Sequence, residues 1–351
     1  MHMNIYDYAE NEKISTRGVL DFTLLTNPIG PSTKAKNAMR AALKTINRFP
    51  DPSTRYLRRY IARTEHIGPE NILFGHGSTH LLELILTRLG PGKVLIPAPS
   101  PAHHASMLRG FGIDFISFPP DGDRAHALDA GRLMASIDGV DMLLISNPHG
   151  VTGTLIPLST LHAVADRIEG SNTTLVIDEA LIEFTQGRSP VERAVRSRNV
   201  LILRSFSLYH ALAGLRLGYA VGSASLLSFL AGPAGCGLVN TVAAAGAISS
   251  LRDKGFRTRT TEFLKAEKAY LVERLGRIDK AEVIDTPCGF VLVRLHMPGG
   301  DVRRGLEARH MLVETFEDEK GLTLLRVPVR RHRENARFAK TLSRVVRPSN
   351  G

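Results

Sequence analysis

The sequence predicts an α/β protein: a large domain built on a mainly parallel, doubly wound sheet, followed by a smaller α/β C-terminal domain. Three observations carry that expectation. Short apolar runs recur through the middle of the chain at Val94-Leu-Ile-Pro97, Met142-Leu-Leu-Ile145, Thr174-Leu-Val-Ile177 and Val200-Leu-Ile-Leu203. Runs this short and this continuous suit strands buried on both faces. Amphipathic stretches separate them, and buried strands alternating with helices imply parallel crossover units. From about Pro233 the pattern changes to long helical stretches (Ala243 to Leu275) and then the strand-like Phe290-Val-Leu-Val-Arg294 and Leu324-Leu-Arg-Val327. The expected division is an N-terminal arm over 1–30, a large domain over 31–232 and a small domain over 233–351.

Bulk properties narrow the function classes. No apolar run approaches the roughly 18 residues that a membrane span needs. Met1-His-Met-Asn-Ile-Tyr-Asp lacks the basic-then-apolar order of a signal peptide. The two cysteines, Cys236 and Cys288, make neither a disulfide framework nor a zinc spacing. A reducing, cytoplasmic setting without a metal centre is the expectation. The formal charge of +11 admits an anionic ligand or nucleic acid. Trp is absent and aromatics make up 6% of the chain, which leaves little to stack on bases and argues against nucleic acid.

Taken in order, the elements place polar groups where ligands collect in such sheets, at the carboxyl ends of strands. Asp21-Phe-Thr-Leu-Leu-Thr-Asn-Pro-Ile-Gly-Pro31 contains a turn signature around Asn27. After the strand-like Ile72-Leu-Phe74, Gly75-His-Gly-Ser-Thr79 leads into the amphipathic Leu81–Leu86. Small residues and a hydroxyl N-cap at a helix start leave N–H groups that can hold a phosphate, or simply cap the helix. Pro157 to Gly170 reads as a helix with an apolar face of Leu158, Leu161, Val164, Ala165 and Ile168. Asp178 ends a buried apolar strand and needs a partner there. Arg326, amid apolar strand residues, needs an anion, supplied by a ligand or by an internal ion pair. His104 and His149 are candidate acids or bases near neutral pH, and equally candidates for stacking or surface roles.

The segment Leu201-Ile-Leu-Arg-Ser-Phe-Ser-Leu-Tyr-His-Ala-Leu-Ala-Gly-Leu-Arg-Leu-Gly-Tyr219 resembles the cofactor-lysine segment of fold-type I pyridoxal-phosphate enzymes. By that segment the chain is most similar to threonine-phosphate decarboxylases and histidinol-phosphate aminotransferases, and Asp178-Glu-Ala-Leu-Ile-Glu-Phe184 and the Asn27 turn resemble the decarboxylase branch. The resemblance runs from Asp21 to about Leu342. It implies a PLP-transferase-like large domain and a homodimer with active sites at the subunit interface. It further implies a phosphate cup of Gly77, Ser78 and Thr79, with hydroxyls from Ser205 and Ser207 and a clamp from Arg216. Asp178 would face the pyridine nitrogen, and Asn27 and Arg326 would bind substrate, Arg326 through its α-carboxylate.

Four positions depart from the family pattern. Leu208 stands where the cofactor-binding lysine is expected, and an aliphatic side chain cannot condense with an aldehyde. In Asn147-Pro-His-Gly-Val-Thr-Gly153, Gly150 stands where an Asn would meet the ring hydroxyl. His104 takes the place of the ring-stacking Tyr, and Phe49 that of the Tyr that reaches a neighbouring subunit's phosphate. The expectation is a degenerate cofactor site that binds an anionic, phosphorylated, amino-acid-like ligand with altered or lost pyridoxal-phosphate chemistry. Two alternatives stay open. One is an ordinary pyridoxal-phosphate decarboxylase or aminotransferase whose natural residue 208 is lysine. The other is a non-catalytic partner subunit.

Overall fold

The computed structural model describes residues 4–118, 130–232, 239–317 and 321–346. Pro233 and Cys236 lie outside the described residues. The chain forms two compact units, one of Met1–Ile29 with Arg259–Gly351 and the other of Gly30–Thr258.

The smaller unit opens with the helix Ile5–Asn11, followed by β1 (Leu20–Phe22). The larger unit then supplies β2 (Ile72–Gly75), β3 (Lys93–Pro97), β4 (Asp114–Phe118), β5 (Met142–Ser146), β6 (Thr174–Asp178), β7 (Val200–Ser205) and β8 (Gly218–Val221). Their order across the sheet is β2-β8-β7-β6-β5-β3-β4. The β7, β6, β5, β3 and β4 neighbours are parallel, and β8 runs antiparallel to both β7 and β2. Strands β5 and β6 are buried at every position, as their unbroken apolar runs require. One face packs Leu143, Ile145, Leu175, Ile177 and Ile202 with the helix Leu158–Ile168. The other packs Leu144, Val176, Leu201 and Leu203 with the helix Gly77–Leu89.

The smaller unit resumes with β9 (Ala281–Asp285), β10 (Phe290–Leu295), β11 (Met311–Glu317) and β12 (Thr323–Pro328), which with β1 form a five-stranded sheet of order β1-β11-β12-β10-β9. Here β1 is parallel to β11 and the other pairs are antiparallel. Phe22 of β1 is fully buried, with its ring 4.3 Å from that of Phe338 on the helix His332–Val346.

Composition places the domain change at 232/233, whereas the compact units divide at 258/259, inside the helix Lys254–Leu275. The helix Thr241–Leu251 accounts for the difference, because it packs on Thr33–Ala42 and Arg55–Glu65 of the larger unit. It is made almost wholly of small residues. A Cβ at Gly246 would stand only 3.0 Å from Met39 Cγ, so glycine there permits the close approach.

Candidate functional site

The carboxyl ends of β5, β6 and β7 lie side by side, with Ser146 opposite Asp178 and Asp178 opposite Leu203. Asp178 is buried at the end of β6. Its Oδ1 accepts the Ala180 N–H at 3.0 Å, and its Oδ2 faces His104 Nε2 at 3.1 Å and His103 Nε2 at 3.5 Å. Burial works against the charged carboxylate. The hydrogen bonds and charge of the two imidazoles outweigh it and hold the Asp178 carboxyl well below the usual carboxylate range. Burial lowers the pKa of His104, and the bond to Asp178 offsets this only in part.

His103 and His104 both sit in the first turn of the helix Ala102–Gly110, with ring centroids 4.2 Å apart. His103 was not singled out from the sequence. The signal that could have found it was the adjacent His pair just after Pro101 at a helix start.

Beside Asp178, Asn147 donates its backbone N–H to the Asp178 carbonyl at 2.9 Å, and its Oδ1 accepts the Ile156 N–H at 2.8 Å. Its fully buried Nδ2 has no hydrogen-bond partner among the described residues. A buried donor left without a partner at a strand end is a costly group that a ligand could satisfy. His149 turns inward as well: its Nδ1 meets Thr152 N at 3.2 Å and Thr152 Oγ1 at 3.0 Å, so that nitrogen fixes the local turn. At Gly150 an added Cβ would come within 3.0 Å of Pro101 Cγ.

A second cluster lies at the start of the helix Gly77–Leu89. Sequence pattern places a hydroxyl at the N-cap. The N-cap residue is instead His76, whose side chain makes no capping bond, and Ser78 and Thr79 fall within the first turn. The helix begins one residue earlier than the hydroxyls because Gly77, at φ +87, makes the turn out of β2 that side-chain-bearing residues resist. The first-turn N–H groups therefore keep the partial positive charge of an uncapped helix start. A Cβ at Gly77 would stand 2.6 Å from Arg216 Nη2, so the guanidinium lies against this glycine. Arg216 Nη1 also donates to Ser207 Oγ at 3.4 Å, and Ser205 Oγ accepts the Ser207 N–H at 3.1 Å. Gly77, Ser205, Ser207 and Arg216 are thus drawn together, with Ser78 in the adjoining turn and Thr79 at the exposed rim. Leu208 follows directly in this loop, and its carbonyl accepts the Ala211 N–H at 3.1 Å.

Behind the strand ends, Arg204 donates to Glu179 at 2.7 Å and stands 3.6 Å from Glu65. His210 bridges Ser250 Oγ at 2.7 Å and Glu183 Oε1 at 2.9 Å. Burial alone would raise the Glu183 carboxyl, but the charge and hydrogen bond of His210, with Arg204 and Arg257, hold it below its ordinary value.

Asn27 and Arg326 belong to the smaller unit. Asn27 Oδ1 accepts the Ile29 N–H at 3.2 Å and its Nδ2 donates to Thr260 Oγ1 at 3.0 Å. Arg326 pairs with Glu314, donates to the Thr23 carbonyl at 3.3 Å and lies between the rings of Phe290 and Phe316. The internal ion pair is therefore present, and any ligand carboxylate at Arg326 has Glu314 as a competitor.

The arrangement matches known proteins along nearly its whole length. The aminotransferase class I and II family matches residues 19–322. The threonine-phosphate decarboxylase of Salmonella typhimurium is 27% identical over 347 residues, 98% of this chain and 95% of that protein. The histidinol-phosphate aminotransferase of Methylobacillus flagellatus is 32% identical over 330 residues, 92% of this chain and 87% of that one. In three dimensions the histidinol-phosphate aminotransferase of Sinorhizobium meliloti, solved with pyridoxal-5'-phosphate, superposes with a TM-score of 0.86 at 19% identity, covering 99% of this chain and 95% of that one. The seven-stranded, mostly parallel sheet is accordingly that of the fold-type I pyridoxal-phosphate enzymes, and the chain belongs to the class I and II aminotransferase family.

Proposed function

We propose that this protein binds a small anionic, phosphorylated, amino-acid-like ligand in a pyridoxal-phosphate fold whose covalent cofactor chemistry is altered or lost. One observation carries the reading: an anion cradle of Gly77, Ser207 and Arg216 is joined in the same loop to an aliphatic residue 208. An arginine fork over uncapped helix N–H groups suits a phosphate dianion. Pyridoxal phosphate fits this chain at its phosphate, and at its ring nitrogen if Asp178 is shared with the histidines. It does not fit at its aldehyde, because Leu208 offers no amine, and Gly150 offers no side-chain donor to the ring hydroxyl. Held by Arg216 and Asp178 alone, the cofactor would be bound without a covalent link.

Calorimetry with O-phosphothreonine and with inorganic phosphate tests the cradle. A charge-assisted arginine contact contributes roughly 1.5–3 kcal/mol, so Arg216→Ala weakens binding about tenfold or more. Unchanged affinity overturns the assignment. Borohydride reduction in the presence of pyridoxal phosphate tests the lost link, with no adduct expected on the peptide that contains Leu208. A stoichiometric adduct there would favour an ordinary decarboxylase or aminotransferase, the reading that the named activities of the relatives support.

The homodimer belongs to the same proposal. Phe49, Tyr56 and Ile46 are 96%, 73% and 63% exposed on neighbouring stretches of the single chain, an apolar surface that a second copy would cover. A monomer in sedimentation at micromolar concentration would count against it. A cytoplasmic setting is in keeping with the absence, among the described residues, of any helix long and apolar enough to cross a membrane.

A further inference from the structure

We infer that His103, His104 and Asp178 form a binding site for one divalent transition-metal cation of the zinc class. Two imidazole nitrogens converge on a single carboxylate oxygen, His104 Nε2 at 3.1 Å and His103 Nε2 at 3.5 Å from Asp178 Oδ2. All three donor atoms lie within 4.8 Å of one another. A tetrahedral ion with bonds of about 2.0 Å holds its ligands roughly 3.3 Å apart. His104 Nε2 and His103 Nε2 already stand near that spacing from Asp178 Oδ2, and one ion reaches all three atoms once the two imidazoles turn toward each other.

The donor set suits the same ion. Imidazole nitrogen and carboxylate oxygen bind zinc and its first-row neighbours, and two histidines with one carboxylate leave coordination positions open for water or an anionic ligand. The second oxygen of Asp178 is fixed by the Ala180 N–H at 3.0 Å, the kind of outer contact that orients a metal-binding carboxylate. Orienting Asp178 as a simple hydrogen-bond acceptor would take one imidazole. The second, aimed at the same oxygen from a half-exposed side chain, is what a pairing role leaves unexplained. His103, with its side chain 53% exposed, also marks the side from which an ion reaches the buried pair. Among the described residues no other trio of such side chains is gathered this closely.

This inference goes beyond the anion-binding reading and touches it at one atom. Asp178 Oδ2 cannot serve a metal ion and a pyridine nitrogen together, so the cation and pyridoxal phosphate exclude one another.

The test is titration of the full-length, metal-stripped protein with Zn²⁺ against a chromophoric chelator, and with Co²⁺ followed by its visible absorbance. One ion per chain is expected. His103→Ala removes an exposed side chain and leaves the fold intact by circular dichroism, yet lowers Zn²⁺ affinity at least tenfold. Asp178→Asn lowers it further, and added pyridoxal phosphate raises the apparent dissociation constant. Arg216→Ala leaves Zn²⁺ affinity unchanged, so failure of the metal site and failure of the anion cradle are separable. No bound ion, or equal affinity in wild type and His103→Ala, overturns the inference.

Discussion

Replacing His210 with Phe isolates one buried network. His210 bridges Ser250 and Glu183, and its ring lies 5.2 Å from that of Phe206. Phenylalanine keeps the packing and removes both hydrogen bonds. The Ser250 hydroxyl, 3% exposed, would lose its partner, at a cost of about 1–3 kcal/mol. Glu183 would lose a charge-assisted bond, but its side chain is 19% exposed, so water recovers part of that loss. The sum is about 3 kcal/mol, or roughly 6–12 °C in Tm for a unit of this size.

The pH dependence follows from the lowered carboxyl. A carboxylate whose folded pKa lies below its unfolded value stabilises the fold fully above the unfolded pKa, near 4.3, and loses that contribution as pH falls through the folded one. The gap between wild type and His210→Phe should therefore be full at pH 7 and narrow below about pH 4. Urea unfolding followed by circular dichroism at pH 7, 5 and 3.5 measures it. A loss under about 1 kcal/mol at pH 7, or a gap that does not change with pH, refutes the network.

Three further outcomes follow from the geometry. Gly77→Ala forces a side chain into φ +87 and within 2.6 Å of Arg216, so it should weaken phosphate binding at least tenfold in calorimetry while the Thr241–Leu251 packing is untouched. Glu314→Ala removes the carboxylate partner of the buried Arg326 guanidinium and should cost about 3–5 kcal/mol in urea unfolding, with Glu314→Gln costing visibly less. Burial pushes the Cys288 thiol up to about 12, so its alkylation by iodoacetamide at pH 8, read by mass spectrometry, should be negligible until the fold opens.

The central strands were legible because burial on both faces writes itself as an unbroken apolar run. The runs beginning at Val94, Met142, Thr174 and Val200 each became a strand of the parallel sheet. The strand ends gave Asp178 for the same reason, since a carboxylate there stands out against its apolar neighbours. Strand β4 was missed because it is partly exposed and mixes Asp114 and Ser117 with apolar residues. β8 was missed because Gly218-Tyr-Ala-Val221 is short and opens on a glycine, although a Cβ at Gly218 would stand 2.7 Å from the Arg204 carbonyl. The cap was misplaced because a positive φ at Gly77 outranks hydroxyl preference in starting the helix. His103 escaped notice because its meeting with Asp178, on a strand far along the chain, is not written in local spacing; only the adjacent His pair at a helix start marks it.

The pairing of β1 with β11 sets an order of events on the ribosome. Tyr8 donates its hydroxyl to the Glu307 carbonyl, 299 positions along the chain. Strand β1 can complete its sheet only after Met311–Glu317 has been synthesised. At about 5–20 residues per second the wait is roughly 15–60 s. The larger unit is continuous in sequence and can fold during that interval. Tyr8, Val19 and Phe22, all buried in the folded chain, lack their native cover until then.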